Sequence, residues 1–600
     1  MNTQVSPRID ALRKAMRGAH VAACLIPSSD PHRSEYLPAR WQGRAWLSGF
    51  DGSAGTLVVT ADFAGLWTDS RYFEQAERQL AGTGVTLMRL RVAHRPEYME
   101  WLCANLRDGD SLAVAGDTLS LASERRLRDA MAHSGASLRI DLDLAGKVWP
   151  DRPSLPRAPV VEHALEYAIT PRTDKLARVR GAMSRTGATH HLVSTLDDIA
   201  WITNLRGSDV EYNPVFLSHL LVEADRCTLF VDAAKVDAAL RETLAANGVE
   251  LAAYEAVTES LASLPIDSRV LYDPAHVVAD IIEALPDAVT TIELPNPSTL
   301  MKAVKSDAEL EHVRSAMRED GAALVHGMHK IEQALADSQT LTELDVAAIL
   351  RDSRAARRGF VSESFGTIAG YMANASLPHY SATPERHSTL AADGLLLVDS
   401  GAQYLGGTTD ITRVWAFGKT TEEQRRDCTV VLKGMINLSR ARFPEGASGP
   451  QLDALARAPL WTVGADYGHG TGHGVGYFLN VHEGPQSVRP PQPDSPLVAL
   501  EPGMISSIEP GLYKPGRHGV RHENLAVVRE AVETEFGRFL EFETLTLCPI
   551  DTRAIEPGML EAGEREWLDA YHAQVEQALS PLLESEDDRS WLHERCRPLA

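Results

Sequence analysis

Apolar and polar positions alternate with two different periods along the first 150 residues. Helical spacing recurs at 9–16, 74–80 and 98–106, whereas TLVVT (56–60) and SLAVAG (111–116) are short apolar runs typical of buried strands. Helices and strands mixed in this way predict an α/β domain. The segment WPDRPSLPRAP (149–159) follows, and its prolines disfavour both helix interiors and central strands. We therefore expect a linker there.

The same alternation returns between residues 160 and 297. Helical patterns at 173–187 and 196–203 are interleaved with the strand-like runs HHLVST, FLSHLLVEA and CTLFVDA. This predicts a second α/β domain of similar size, in tandem with the first. The segment LPNPSTLMKAVKS (294–306) is interpreted as a second linker.

A third region begins with a helix-start signal. Ser306 and Glu309 have the spacing of a capping box, and apolar residues continue at helical spacing from Leu310 to Leu335. A second helix is expected at 342–354, then glycine-punctuated strands, and a final helix at 562–579 before an acidic segment that is either a solvated tail or a helix. The predicted domains are 1–152, 153–300, 301–552 and a C-terminal extension, 553–600.

Candidate chemistry is concentrated between residues 375 and 530. Asp399 ends an apolar strand and Asp410 begins another after a glycine-bearing turn, so the two carboxylates can converge. Buried carboxylates that face each other repel, and such pairs share a proton or bind a cation. Two solvated turn aspartates are the alternative interpretation.

Three histidines and two glutamates follow in similar settings. His469, His473 and His482 lie in and just beyond a run in which glycines disfavour a helix, so a glycine-rich loop presenting imidazoles is expected. Glu509 ends the run MISSIE, and Glu523 lies within the strand-like run GVRHENLAVV. A glutamate in an apolar strand is costly unless it is paired or ligated. Surface histidines and exposed strand glutamates are the alternatives.

Two Asp, one His and two Glu, all next to strand ends or glycine turns, together form an oxygen-rich ligand set with one nitrogen donor. Four carboxylates around one point require about two divalent cations to neutralise them. The set therefore predicts a dinuclear hydrolytic site, at which the metals lower the pKa of a bridging water and polarise a carbonyl. It contains no thiolate, which argues against a structural zinc site. It does not distinguish Mn²⁺, Co²⁺ or Fe²⁺ from Zn²⁺.

Composition narrows the classes of function. The 600 residues carry 59 Lys plus Arg against 82 Asp plus Glu, a formal net charge of −23, and no basic patch interrupts this excess. Nucleic acid is therefore an unfavourable partner. The six cysteines are scattered, and neither a secretory signal nor a long apolar run is found, so we expect a cytoplasmic protein without a membrane partner. No cysteine lies in a catalytic pattern, and the serine-hydrolase motif G-x-S-x-G is absent.

The motifs that hold these residues resemble a known family. DSGAQYLGGTTDITR, GHGTGHGVG, SIEPGLY and VRHEN are similar to motifs of the pita-bread metallopeptidases, and most closely to the long, three-domain Xaa-Pro aminopeptidases (aminopeptidase P). The similarity extends to LSGFDGSAGTLVVT and LWTDSRYFEQA in the first domain, DDIAWITNLRGSDVEYNPVF in the second and NVHEGPQSVRP in the third. It implies an α/β protein with two tandem creatinase-like N-terminal domains and an α+β pita-bread catalytic domain.

The resemblance also implies roles for individual residues. Asp399 would chelate one metal, Asp410 and Glu523 would bridge both, and His473 and Glu509 would complete the other. Glu509 would also be the general base. His379 and His482 would hold substrate carbonyls and stabilise the oxyanion, His469 would line the mouth of the site, and Arg521 would support the ligand network. Asp69 and Arg71, in WTDSR, either reach the site or pair with each other.

The implied activity is metal-dependent removal of the residue that precedes proline at a peptide N-terminus. The expected cofactor is two divalent ions, Mn²⁺ first, with Co²⁺, Fe²⁺ and Zn²⁺ as alternatives. The expected partners are peptide substrates with proline second and, through the C-terminal region, a second copy in a homodimer. Two other hypotheses stay open at this point: an Xaa-Pro dipeptidase (prolidase) on the same fold, and a non-catalytic peptide-binding module.

Overall fold

A computed structural model describes residues 4–91, 95–491 and 497–599 of the chain. These residues form two compact units, Met1–Ser298 and Thr299–Ala600. No helix among the described residues is long and apolar enough to cross a membrane.

The first half of unit 1 is built on a six-stranded mixed sheet. Its strands are β1 (Ala23–Pro27), β2 (Thr56–Thr60), β3 (Ala64–Thr68), β4 (Thr86–Arg89), β5 (Ser111–Ala113) and β6 (Ser137–Arg139), in the order β4-β3-β2-β1-β5-β6. Its helices are α1 (Val5–Ala19), α2 (Gly43–Ser48), α3 (Phe73–Leu80), α4 (Glu97–Asn105), α5 (Leu121–Ser134) and α6 (Leu144–Val148).

Both faces of this sheet are buried. In β1, Cys24 and Ile26 pack into one apolar cluster, whereas Ala23 and Leu25 pack into the other. Successive strand residues point to opposite faces, so a continuous apolar run is what a doubly covered sheet requires. TLVVT is such a run, and it forms β2 as expected from the sequence.

The second half of unit 1 repeats this architecture. Its strands are β7 (Val161–Glu162), β8 (His190–Val193), β9 (Leu205–Arg206), β10 (His219–Glu223), β11 (Cys227–Phe230), β12 (Val249–Ala252), β13 (Arg269–Tyr272) and β14 (Thr290–Glu293). Its helices are α7 (Leu165–Ala168), α8 (Arg172–Thr186), α9 (Leu196–Thr203), α10 (Ala238–Ala246), α11 (Val257–Ala262) and α12 (Ala279–Ile282).

The two sheets have the same topology. The second is ordered β12-β11-β10-β8-β13-β14, which is the order of the first when the six strands of each are numbered along the chain. The strand directions also match. In each sheet the first three strands along the chain pair antiparallel with one another, and the remaining three pairs of neighbouring strands are parallel. The prediction of two tandem α/β domains is therefore confirmed.

The two predicted linkers differ in structure. Residues 149–160 contain no helix or strand, as their prolines predicted. The segment 294–306 was interpreted as a linker, but it contains the helix α13 (Pro297–Ala303). Proline fits the first turn of a helix, where its missing N–H would have no partner, so Pro297 starts this helix and does not prevent it. The boundaries of the four predicted domains remain predictions.

Unit 2 begins with two helices that pack on each other, α14 (Asp307–Ala336) and α15 (Glu343–Ala355). The predicted capping box is present, because Ser306 Oγ accepts from Glu309 N–H at 3.3 Å and the Glu309 carboxylate accepts from Ser306 N–H at 2.8 Å. The later helices are α16 (Glu422–Ser439), α17 (Gly449–Thr462), α18 (Ala562–Leu579) and α19 (Glu586–Arg595). The acidic segment is thus helical at α19, which buries Trp591 and Leu592.

The strands of unit 2 form several small sheets. They are β15 (Phe360–Glu363), β16 (Ile368–Tyr371), β17 (Gly394–Ser400), β18 (Ala402–Tyr404), β19 (Gly407–Thr408), β20 (Ile411–Phe417), β21 (Arg442–Pro444), β22 (Gly472–His473), β23 (Ser487–Val488), β24 (Ile505–Ile508), β25 (Gly511–Lys514), β26 (His518–Arg521), β27 (Asn524–Thr534) and β28 (Gly537–Thr544). Two sheets matter for the site: β16-β17-β20 and β21-β28-β27-β24. One large apolar cluster packs against both.

Short 3₁₀ helices complete the described secondary structure. They are Ala39–Trp41, Gly116–Thr118, Ala233–Lys235, Tyr254–Ala256, Met372–Ser376, Thr552–Ala554, Pro557–Met559 and Ser580–Leu582.

Candidate metal centre

Two antiparallel strands carry the first two candidate carboxylates. Asp399 lies near the end of β17 and pairs with Thr412 of β20, and Asp410 directly precedes β20. Both carboxylates therefore lie at the same end of this ladder, and both are buried, with exposed fractions of 8% and 5%. The convergence expected from the sequence is present.

A second ladder carries the two glutamates. Ile508 at the end of β24 pairs with Asn524 at the start of β27, so Glu509 and Glu523 are the next residues on each side of the ladder. Glu523 N–H donates to Thr412 O at 3.1 Å, which joins this ladder to β20. Glu523 was expected inside a strand, but it lies in the connection between β26 and β27.

His473 lies between the carboxylates of the two ladders. Its Nε2 is 3.5 Å from Asp410 Oδ2 and 3.5 Å from Glu509 Oε1. Its Nδ1 is 3.0 Å from Gly474 O. Because a carbonyl only accepts, Nδ1 carries the proton and Nε2 presents a lone pair, which is the arrangement of a histidine ligand. The run is not helical, as its glycines predicted, but Gly472 and His473 form the two-residue strand β22 and are not part of a loop. A Cβ at Gly472 would be 1.9 Å from Ser507 O, so only glycine fits there.

Arg521 connects several of these groups. Its Nη2 donates to Asp399 Oδ2 at 2.5 Å, and its Nε donates to Thr412 Oγ1 at 3.1 Å. Thr412 Oγ1 in turn donates to Glu523 Oε2 at 2.8 Å. Nη1 donates to Tyr513 OH at 2.6 Å. The buried guanidinium of Arg521 thus holds Asp399 directly and Glu523 through Thr412.

His469 lies at the other end of the Arg521 interactions. Its Nε2 is 2.8 Å from Tyr513 OH, and its Nδ1 is 2.7 Å from Gly470 O. Since Tyr513 accepts from Arg521, it donates its own proton to His469 Nε2, and Nδ1 carries the histidine's proton. Both ring nitrogens therefore bond to the protein, and the described contacts give His469 a role in orienting Tyr513.

The two remaining histidines lie beside these groups. The rings of His482 and His473 meet edge to face with 4.3 Å between centroids. His379 follows Pro378, whose carbonyl accepts from Arg521 Nη2 at 3.5 Å. The backbone before His379 packs closely on β26, because a Cβ at Gly519 would be 1.8 Å from Ala375 O.

Burial dominates the electrostatics of the centre. It raises the pKa of Asp399, and the charge of Asp410 adds to this effect while Arg521 opposes it. It raises the pKa of Glu509, against the opposing charges of His473 and Arg521. Burial and the neighbouring carboxylates together hold the pKa of Glu523 well above its usual value. A nearby positive charge stabilises the ionised form of such buried carboxyls.

The donor set fits divalent cations. One ligand atom from each of Asp410, His473 and Glu523 lies within 4.8 Å of the others. Asp399 Oδ1 is buried and has no hydrogen-bond partner, although Arg521 occupies the other oxygen. A buried acceptor without a donor is rare, and ligation of a cation would satisfy it. Four carboxylates and one Arg leave an excess of negative charge that two divalent ions would balance.

Three residues that contact Arg521 or the candidate ligands were not predicted from the sequence. Thr412 and Tyr513 contact Arg521, and Ser507 Oγ accepts from His473 N–H at 3.0 Å and lies 3.3 Å from Glu509 Oε1. Their only signal in the sequence is proximity, since each is two to four residues from a candidate ligand. In unit 1, Arg71 donates to Asp69 at 2.7 and 2.8 Å, so the two residues pair with each other, which is one of the two alternatives that the sequence left open.

Models of known protein families match almost the whole chain. Residues 311–530 match the metallopeptidase family M24, and residues 538–599 match its C-terminal region. Residues 8–141 and 151–309 match two families that are each described as the creatinase/prolidase N-terminal domain.

Curated and solved relatives cover the full length. Aminopeptidase P2 of Arabidopsis thaliana is 38% identical over 99% of this chain and 89% of its own length. A protein named probable Xaa-Pro aminopeptidase P from Laccaria bicolor is 39% identical over 99% and 93%. The crystal structure of X-prolyl aminopeptidase from Caenorhabditis elegans, described as a cytosolic enzyme with a di-nuclear active site, matches with 32% identity and a TM-score of 0.93 over 99% of this chain and 100% of that one.

Proposed function

Because this chain belongs to metallopeptidase family M24 and its full-length relatives are Xaa-Pro aminopeptidases, we propose that it removes the N-terminal residue from peptides whose second residue is proline. The chain is an enzyme, a hydrolase of this family. The observation that carries the proposal is the meeting of two strand ladders, which places Asp399 and Asp410 beside Glu509 and Glu523 with His473 between them.

The proposed cofactor is a pair of divalent cations held by Asp399, Asp410, His473, Glu509 and Glu523. Bound there, the two ions supply Lewis acidity, which polarises the scissile carbonyl and makes an attacking water more acidic. We propose Mn²⁺ as the native ion because the ligand set is dominated by carboxylates, which suit Mn²⁺. Co²⁺, Fe²⁺ and Zn²⁺ are tested as alternatives below.

Glu509 is the proposed general base. Its carboxylate is buried and its pKa is raised, so it is a stronger proton acceptor than an exposed glutamate. Ser507 Oγ, at 3.3 Å from Glu509 Oε1, orients the carboxylate. The backbone N–H of Glu509 donates to Thr471 O at 2.7 Å, which fixes the main chain at this residue. A fixed carboxylate can take a proton from the attacking water and pass it to the leaving imino nitrogen.

His482 and His379 are the proposed substrate-binding groups. A neutral imidazole N–H can donate to a substrate carbonyl and to the oxyanion that develops on it. His482 lies against His473, so its ring borders the ligand cluster. Arg521 and His469, through Tyr513, are proposed to hold the ligands in place and not to contact the reacting atoms.

The proline requirement has a physical basis. An Xaa-Pro bond is a tertiary amide without an N–H, and the ring fixes φ, so a site that reads an extended peptide by its N–H groups cannot seat it. A shallow apolar pocket for the ring avoids this problem. Binding of the free N-terminal amine near the anionic centre limits cleavage to one residue at a time.

Location and assembly are also proposals. We propose a cytoplasmic location because the similar C. elegans protein is described as cytosolic and all six cysteines are free thiols. We propose a homodimer that involves the C-terminal region, residues 553–600, whose family counterpart extends over 538–599. Analytical ultracentrifugation of the full chain and of a chain ending at residue 552 tests this assembly.

The function is tested with three peptides: Arg-Pro-Pro, Arg-Ala-Ala and Ala-Pro, each assayed with Mn²⁺, Co²⁺, Fe²⁺ or Zn²⁺ and after chelation. We expect metal-dependent release of arginine from Arg-Pro-Pro alone, fastest with Mn²⁺. Cleavage of Ala-Pro alone would instead establish a dipeptidase, an alternative that the full-length relatives do not favour. Absence of both cleavage and bound metal would restore the binding-module hypothesis.

A further inference from the structure

A buried carboxylate outside the candidate centre organises the segment that carries His379. Glu343 is the first residue of α15 and is completely buried. Four donor groups converge on its two oxygens. Tyr371 N–H donates to Oε1 at 2.7 Å, Ser388 N–H to Oε2 at 2.7 Å, Tyr380 OH to Oε2 at 2.8 Å, and Asn374 Nδ2 lies 3.0 and 3.1 Å from the two oxygens.

All four donors belong to one segment, residues 371–388. Two precede His379 and two follow it, so the carboxylate closes an 18-residue segment around this histidine. A further bond runs in the opposite direction, from Glu343 N–H to Ser388 O at 3.1 Å. Asn374 Nδ2 also lies 3.0 Å from Tyr380 OH and 2.9 Å from Ser388 Oγ, which links the two ends of the segment.

The surroundings of Glu343 suit a side chain that offers two acceptor oxygens. It lies in the first turn of α15, where the helix dipole stabilises negative charge. Its donors include two backbone N–H groups, and hydrogen bonds to an ionised acceptor are shorter and stronger than neutral ones. Two carboxylate oxygens provide about four lone-pair sites, which matches the number of donors. A glutamine at this position would replace one acceptor oxygen by a donor.

The segment also reaches the candidate centre. Pro378, next to His379, accepts from Arg521, and Arg521 binds Asp399. Tyr371 ends β16, which pairs with β17 so that Ile368 lies opposite Asp399. The segment therefore begins at the end of the strand that pairs with Asp399, three residues after Ile368, and it contacts Arg521 at Pro378, the residue before His379.

We propose that Glu343 is a positioning residue for the peptidase reaction: its buried carboxylate fixes residues 371–388 and thereby sets the location of His379 relative to the centre. This inference rests on the proposed function, in which His379 binds substrate. Glu343 acts through the segment and does not touch the reacting atoms. A misplacement of about 1 Å at a substrate-binding group can lower a rate by about 10².

The test is Glu343→Gln, assayed with Arg-Pro-Pro and Mn²⁺ alone and combined with His379→Ala. We expect Glu343→Gln alone to lower kcat/KM on the order of 10²-fold with two bound metal ions retained. In the His379→Ala background we expect a further loss of less than about threefold, because residues that act as a unit are non-additive. Multiplicative losses, or unchanged activity of Glu343→Gln, would overturn the proposal.

Two further variants separate positioning from folding. Asp345→Asn removes an exposed capping carboxylate in the same helical turn that contacts Thr342 and not the segment, and we expect kcat/KM within about twofold of the original. Tyr380→Phe removes one of the four donors. If Glu343→Gln fails to fold, Tyr380→Phe is expected to lower kcat/KM several-fold and to show the same non-additivity with His379→Ala; additive behaviour there contradicts the proposal.

Hydrogen exchange gives a readout that does not depend on catalysis. Amides in residues 371–388 are expected to exchange faster in Glu343→Gln than in the original protein, while α16 and β27 are unchanged. Unchanged exchange in the segment would refute the role of Glu343. If the original protein does not cleave Arg-Pro-Pro, the proposed function fails, and the exchange result still decides whether Glu343 orders the segment.

Discussion

Removing one charge from the candidate centre should stabilise the metal-free protein while it weakens metal binding. Glu523→Gln keeps the size of the side chain and an oxygen that can accept from Thr412. Ligand atoms of Glu523 and Asp410 lie within 4.8 Å of each other. Two unit charges at that distance repel by about 3 kcal/mol at an effective dielectric constant near 20. The metal-free variant should therefore gain roughly 1–3 kcal/mol.

The sign of the pH dependence follows from the raised pKa values. Burial raises the pKa of Asp399, Glu509 and Glu523 in the folded chain. A carboxyl with a raised folded-state pKa binds its proton more tightly when folded, so stability falls as pH rises from the unfolded value, about 4, through the folded value. This penalty is complete above the folded pKa. We expect the advantage of Glu523→Gln to grow as pH rises through that window.

Differential scanning calorimetry with a chelator, at several pH values from about 5 to 8, measures the effect. For unit 2, Thr299–Ala600, an unfolding entropy of about 2.1 cal/mol/K per residue means that each kcal/mol gained raises Tm by roughly 1.5 °C. Added Mn²⁺ should reverse the order, because ligand binding stabilises the original protein by RT ln(1 + [L]/Kd) and the variant less. Glu543→Gln is the control: Glu543 accepts from Arg314 at 2.8 and 3.0 Å in the same unit, so its loss should not stabilise either form.

A metal-free Glu523→Gln protein that is less stable than the original above pH 7, or a difference that does not vary with pH, would refute this reasoning. The first result would mean that the buried carboxylate contributes more through its bonds than it costs through repulsion. The second would mean that Glu523 does not titrate in the window assigned to it.

Three further outcomes are expected. Arg521→Met should lower metal affinity by about 10–100-fold, measured by competition with a chromogenic chelator, because Asp399 loses the group that orients it; unchanged affinity would contradict this. His473→Ala should reduce bound metal from two ions to one or fewer by elemental analysis, and full stoichiometry would exclude it as a ligand. Lys305→Met should lower the free energy of unfolding by about 3–5 kcal/mol in urea titration, because Glu483 loses its buried partner at 2.8 Å; Glu483→Gln in the same chain should recover part of that loss, and no recovery would refute the pairing.

The strand pattern of the sequence indicated the candidate carboxylates, but it did not indicate Thr412, Tyr513 and Ser507, which contact Arg521 or the candidate ligands. Asp399 and Asp410 were identified because apolar runs on either side of a glycine turn predict two strands that end together. The order and directions of the two sheets in unit 1 could not be obtained in this way. Strand order depends on long-range pairing such as Ala23 with Thr60, which local periodicity does not encode.

The helix at 297–303 and the role of Glu343 were not predicted for related reasons. Prolines were counted as breakers, although Pro297 occupies a position where proline suits a helix. In the sequence, Glu343 is one of two acidic residues in the first turn of a helix, where the helix dipole stabilises negative charge, so nothing there marks it as buried. Only the fold brings Tyr371, Tyr380 and Ser388 to its carboxylate, from 28 to 45 residues away in the chain.

Folding and metal binding are coupled in this design. The four candidate carboxylates come from two strand ladders that are distant in the chain, and the backbone bond from Glu523 to Thr412 joins these ladders. Because the ladders are buried, the repulsion among the carboxylates is not screened by water, and Arg521 offsets only one of four charges. A protein that folds around such a cluster is strained electrostatically until divalent cations bind. We therefore expect the burial of these carboxylates both to destabilise the metal-free chain and to favour binding of divalent cations at the candidate centre.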